Sequence, residues 1–167
     1  AAHHLVHVSR TVAHSYGYSS APVYCGGVAS RELVIPNGID LETLAVVRGY
    51  PRSPDTRVIV VAGRMVRVKG QVQVLGAFAR AAKRDHSLRL ELIGDGPDRP
   101  MLEQRVRDMG LAEHVSFTGW RPREETLARL KSAWRVVVPS SSHQEDFSLV
   151  LAETMALGVP VIASDIP

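Results

Sequence analysis

At 167 residues, 45% hydrophobic and 22% charged, the chain has the makeup of a globular protein with one full core and too little length for two. The net charge of +3 arises from 20 basic and 17 acidic residues with no basic block. That gives little support to nucleic-acid binding, and it suits an anionic small-molecule ligand or loose attraction to acidic lipid headgroups without arguing for either. The apolar runs are far short of a membrane span, and the single Cys25 excludes an internal disulfide, which fits a reducing compartment.

The first residue already lies in an alternating apolar segment with neither an initiator Met nor a signal peptide, so the chain reads as a piece of a longer protein. Residues 5–8 predict a short strand and 10–16 a short helix. Ser, Pro and Gly across 18–27 suggest a linker. Residues 31–35 are again strand-like and stop at the turn Pro36-Asn37-Gly38, with Asp40 placed as a cap for the segment after it. A second loop-like stretch covers 49–55.

From Arg57 onward apolar strand, loop and amphipathic helix alternate. Strands are predicted at 58–62, 88–93, 115–117, 136–138 and 161–163, and helices at 71–84, 99–109, 123–131 and 148–157, with Pro122 suited to the first turn of the third helix. This alternation implies an α/β fold, a doubly wound parallel sheet with helices on both faces. In the common order of such sheets the first and fourth strands are neighbours, and ligands bind beyond their carboxyl ends. Those ends are Gly63-Arg64 and residues 139–145.

The segment Gly63-Arg64-Met65-Val66-Arg67-Val68-Lys69-Gly70 leaves the first strand with a glycine and carries three cations. Arg64 can grip phosphate oxygens through its planar fork, and Lys69 offers a point charge. Gly94-Asp95-Gly96 begins like a dinucleotide fingerprint, but Arg99 stands at the third glycine position, so a tight strand-to-helix turn explains it. Near Gly119 the backbone can approach a nucleobase with Trp120 or Arg121 beside it; a tight turn with an interface aromatic is the competing reading. The helix at 148–157 is almost all apolar, and its only charged residue is Glu153, whose helical neighbours are Leu149, Val150, Ala156 and Leu157. A carboxylate there is costly unless it receives hydrogen bonds. The preceding turn-rich loop carries His143 and Glu145 to a helix start whose bare N–H groups suit an anion. His3, His4, His7 and His14 have no metal-ligand spacing and read as surface histidines; no metal site is expected.

Together these motifs resemble the retaining, GT-B-fold glycosyltransferases of family four, also called glycosyltransferase group one. The resemblance rests on Val34-Ile35-Pro36-Asn37-Gly38-Ile39-Asp40, Gly63-Arg64 with Lys69-Gly70, Ile93-Gly94-Asp95-Gly96-Pro97, Phe117-Thr118-Gly119, and Glu145 with Glu153, in the family's order over nearly the whole chain. It implies that 1–22 end an N-terminal domain, 23–33 form a linker, and 34–167 are an incomplete, Rossmann-like domain that binds a nucleoside-diphosphate sugar and needs no other cofactor. By the same resemblance Arg64 and Lys69 hold the donor diphosphate and Glu153 binds the ribose. Glu145 contacts the donor sugar, N–H groups around Phe147, Ser148 and Leu149 meet sugar and phosphate oxygens, and Gly63 shapes the phosphate loop. The acceptor, a sugar, lipid or small molecule, would be bound by the missing N-terminal domain. The parent is expected in the cytoplasm, with peripheral association at the inner face of a membrane compatible with it. The sheet is expected to lack its last strand and terminal helices, and the fragment to bind nucleotide weakly without turnover. The rivals are a nucleotide-sugar epimerase of the same architecture and a non-catalytic nucleotide-sugar-binding module.

Overall fold

The computed structural model describes residues 4–7, 23–25, 28–34, 37–50, 57–141 and 148–165. The chain divides into two compact units, one comprising 1–39 with 143–149 and the other 40–142 with 150–167. In the first, strands β1 (His4–His7), β2 (Val23–Cys25) and β3 (Val28–Val34) form a three-stranded sheet in the order β1-β3-β2, parallel between β1 and β3 and antiparallel between β3 and β2. The stretch 23–33, expected to be a linker, is therefore largely a strand pair. The linker suggested by Ser, Pro and Gly across 18–27 overlaps β2, whose Val23-Tyr24-Cys25 are β-forming residues, and the strand expected at 31–35 is β3, which begins three residues earlier. The helix expected at 10–16 lies outside the described residues.

The second unit begins with helix α1 (Leu41–Arg48). Asp40 caps it as predicted, accepting from the N–H groups of Glu42 at 3.0 Å and Thr43 at 3.2 Å. Hydrogen bonds from Thr43, first its hydroxyl and then its N–H, hold the Asp40 carboxyl below the usual carboxylate range. There follow β4 (Val58–Ala62), a 3₁₀ turn (Arg67–Lys69), α2 (Gln71–Ala82), β5 (Arg89–Ile93), α3 (Arg99–Asp108), β6 (Val115–Gly119), α4 (Arg123–Ser132), β7 (Arg135–Val138), α5 (Leu149–Ala156) and β8 (Val161–Ala163). The five strands make one parallel sheet in the order β6-β5-β4-β7-β8. The predicted neighbours β4 and β7 pair through Ile59 with Arg135 and Val60 with Val136. Pro122 stands one position earlier than expected, as the residue before α4, where its carbonyl accepts from Thr126 N–H.

Strand alternation splits the core between the two faces. Val61, Leu90 and Leu92 pack with Val74, Leu75 and Phe78 of α2 and Leu102 and Val106 of α3. Val60 and Val136 instead share burial with Leu44 and Val47 of α1, Leu127 and Leu130 of α4, and Thr154 of α5. Complete burial of a side chain such as Leu75 or Leu130 stabilises by about 1.5–3 kcal/mol. On this second face Glu91 interrupts β5, and it is tolerated because Arg129 of α4 pairs with it. Within α2, Gly76 is a helix-interior glycine beside which an added methyl would meet no atom within 4 Å. Gly76→Ala is therefore expected to stabilise the protein by about 0.5–1 kcal/mol, read as a higher urea midpoint with an unchanged slope.

Candidate functional site

Among the loops that leave the carboxyl edge of the sheet, the one after β4 is tied to both of its neighbours. On one side Gly63 N–H donates to the Ile93 carbonyl at 2.9 Å, Met65 N–H to the Asp95 carbonyl at 2.9 Å, and Asp98 N–H to the Met65 carbonyl at 3.1 Å. A side chain at Gly94 would begin 2.2 Å from the Gly63 carbonyl oxygen, and one at Gly96 only 2.3 Å from that of Met65. The two glycines read as a failed fingerprint are thus needed for loop-to-loop contact. Gly94 N–H in turn donates to the Gly119 carbonyl at 2.8 Å, which draws in the end of β6. On the other side Ser141 N–H donates to the Val68 carbonyl at 2.9 Å, and Gly70 lies against Pro139.

This frame places the predicted cations. Arg64 is exposed, and its carbonyl accepts from the buried Gln71 side chain at 2.9 Å, so its backbone is held while its guanidinium faces solvent. Lys69 ends the 3₁₀ turn and is half-buried. Gly119 has φ +71, and Arg99 lies 3.4 Å from where its side chain would start. Arg99 bonds Glu103 at 2.8 Å and Asp95 at 3.1 Å; the Glu103 bond is the main cause that raises its pKa, so the charge stays. Trp120 is 75% exposed. Arg121 Nε is buried without a hydrogen bond among the described residues, 3.7 Å from Glu125.

Glu153 sits in the middle of α5 and its side chain is only 7% exposed. Arg123 Nη2 approaches its Oε1 to 2.7 Å. The approach is out of line for a hydrogen bond, and Oε1 has none among the described residues. The far end of α5 is well satisfied: Arg48 donates to the Ala156 carbonyl through Nη2 at 3.0 Å, Lys131 to that of Leu157 at 3.1 Å, and Gly158 turns left-handed with φ +70. A glycine in this conformation is the usual end of a helix. Ser148 directly precedes α5 and Leu149 is its first residue, 41% exposed. Glu145, Phe147 and His143 lie outside the described residues. Among the described residues no cluster of His, Cys, Asp or Glu suited to a metal occurs, and no helix is long and apolar enough to cross a membrane.

Arg123 was not anticipated. No local signal pointed to it, since Glu124 and Glu125 in the same turn already offer anions to a cation at the start of the helix. Among the described residues, two cavities of about 290 and 340 Å³ lie elsewhere on the second unit; the larger is bordered by Val58, Arg89 and Val115, at the amino ends of three strands.

A doubly wound parallel sheet with this strand order and loops fused along its carboxyl edge is a Rossmann-like α/β domain. The chain belongs to the family described as glycosyl transferases group 1, which matches residues 47–167. It is 38% identical over 120 residues to the lipopolysaccharide core biosynthesis glycosyltransferase LpsD of Rhizobium meliloti, covering 71% of this chain and 33% of that protein. It is 32% identical over 156 residues to a D-inositol 3-phosphate glycosyltransferase of Thermobifida fusca, covering 84% of this chain and 36% of that protein. Among solved structures, sucrose-phosphate synthase from Thermosynechococcus elongatus superposes with a TM-score of 0.74 at 27% identity, over 98% of this chain and 41% of that one. The pneumococcal O-GlcNAc transferase GtfA, solved with UDP and GlcNAc, gives a TM-score of 0.74 at 17% identity over 98% of this chain and 30% of that one, a likeness of fold. The chain thus spans about a third of the length of the two curated relatives named.

Proposed function

We propose that this chain is the donor-binding part of a retaining glycosyltransferase that moves a hexosyl group from a nucleoside-diphosphate sugar to a hydroxyl acceptor. The observation that carries the reading is the buried Glu153 carboxylate, with no hydrogen bond to Oε1 among the described residues, on the helix that follows β7, the strand beside β4 with its Arg64 loop. Arg64 and Lys69 hold the diphosphate, Glu153 accepts from the ribose hydroxyls, and Glu145 meets the donor sugar. N–H groups of Phe147, Ser148 and Leu149 meet sugar and phosphate oxygens, and the base lies near Gly119, Trp120 and Arg121. As the bond between the anomeric carbon and the phosphate oxygen breaks, negative charge grows on the diphosphate. Cations already in place there lower the barrier without reorganisation. The acceptor, a sugar, lipid or small molecule, is met by the rest of the longer cytoplasmic parent.

The experiment is calorimetric titration of the chain with uridine, guanosine and adenosine diphosphates, repeated for Arg64→Ala. Because the fold uses the Arg64 carbonyl and leaves its side chain exposed, the variant is expected to melt like the wild type. Its affinity is expected to fall about tenfold or more, the worth of a charge-assisted hydrogen bond. Equal affinities for the two proteins would remove the phosphate role of Arg64. Incubating the full-length parent with donor alone separates transfer from epimerisation, which would yield an altered sugar nucleotide without any acceptor.

A further inference from the structure

We infer that Arg123 is a positioning residue for Glu153, and that it sets the preference of the site for ribose over 2′-deoxyribose. The inference rests on the reading of Glu153 as the ribose acceptor. Glu153 is 7% exposed on an otherwise apolar helix, where a carboxylate is poorly solvated and can turn away from its ligand unless a neighbour fixes it. Arg123 is the group at hand, 2.7 Å from Oε1. Being 48% exposed, its guanidinium reaches the buried carboxylate from the solvent side.

The details favour positioning over occlusion. A guanidinium seated as a two-pronged partner would consume the lone pairs that a ribose diol needs. Here the nearest approach, Nη2 at 2.7 Å, makes no hydrogen bond and leaves Oε1 without one among the described residues. Charge is balanced while acceptor capacity is kept. The anchor for Arg123 is firm: Pro122 restricts the backbone just before it, and the Pro122 carbonyl accepts from Thr126 N–H at 2.9 Å. Arg123 itself is the first residue of α4, four positions after Gly119 at the carboxyl edge. A cation at that helix position is disfavoured by the dipole; Glu124 and Glu125 in the same turn, the nearby Asp40 and the Glu153 contact all act against that cost.

The test compares uridine, guanosine and adenosine diphosphates with their 2′-deoxy counterparts, by calorimetry, on the wild type, Arg123→Ala, Arg123→Lys and Arg48→Ala. The wild type is expected to favour ribose by about tenfold or more, the worth of a hydrogen bond to a charged acceptor. Arg123→Ala is expected to bring that ratio close to one, and Arg123→Lys to restore part of it. Arg48→Ala, which loosens α5 at its other end, is expected to weaken both sugars alike and keep the ratio. Ribose preference that survives Arg123→Ala, or that Arg48→Ala removes equally, overturns the role given to Arg123 alone. A wild type that binds no diphosphate, or binds both sugars equally, overturns the donor-site reading and this inference with it.

Discussion

Replacing Glu153 with leucine is expected to raise the melting temperature of the protein while removing most of its nucleotide affinity. The side chain is nearly the volume of leucine, sits in an apolar helix, and has no hydrogen bond to Oε1 among the described residues. Burying such a charge carries a desolvation cost that one half-exposed guanidinium offsets only in part. Exchanging buried ion pairs for apolar groups is neutral to stabilising, here by about 1–2 kcal/mol. For a chain of this length that is about 3–6 °C in Tm. Arg123, released from its partner, is 48% exposed already and regains water, so no orphaned charge remains inside. Affinity for the best-bound nucleoside diphosphate should drop at least about tenfold. Thermal melting beside calorimetry gives both readings. A lower Tm would mean that the Glu153–Arg123 pair holds the fold, and the assignment of Glu153 to a ligand would lose its main support.

That opposition of stability and binding explains which parts of the molecule were legible in sequence. The five-stranded sheet was, because strand-like and helix-like stretches alternate along the chain from Arg57 onward. Strands 58–62 and 161–163 and the capping by Asp40 emerged as expected, since period, cap and turn chemistry are all local. Glu153 was legible as a burial anomaly. Its partner was not, because Arg123 lies 30 positions earlier and meets it only after α4 and α5 dock. The roles of Gly94 and Gly96 were hidden for the same reason: one touches the Gly63 carbonyl and the other that of Met65, and neither contact is local. β2 was obscured because the Ser, Pro and Gly around it outweighed a run of three β-forming residues, whereas most of β3 was expected.

The glycine with the largest expected effect is Gly70, and Gly70→Ala is expected to cost at least about 3 kcal/mol of stability and most of the nucleotide affinity. Two causes act together there. Its φ of +70 is left-handed, which costs a side-chain-bearing residue about 1–2 kcal/mol. In addition, the new methyl would begin 2.0 Å from the Pro139 carbonyl oxygen and 2.9 Å from its carbon, and those are backbone atoms that cannot swing aside. The loop bearing Arg64 and Lys69 must then separate from the loop after β7, breaking the bond from Ser141 N–H to the Val68 carbonyl. Gly110→Ala is the matched control. Gly110 has nearly the same φ, +67, but follows α3 with no atom within 4 Å of the added methyl. It should therefore lose only the conformational part, about 1–2 kcal/mol, and bind nucleotide as before. Urea midpoints for the pair isolate the contribution of loop-to-loop contact. Equal losses at the two positions would show that the Gly70–Pro139 approach relaxes freely, and that the loop bearing Arg64 and Lys69 is not held in place by the loop after β7.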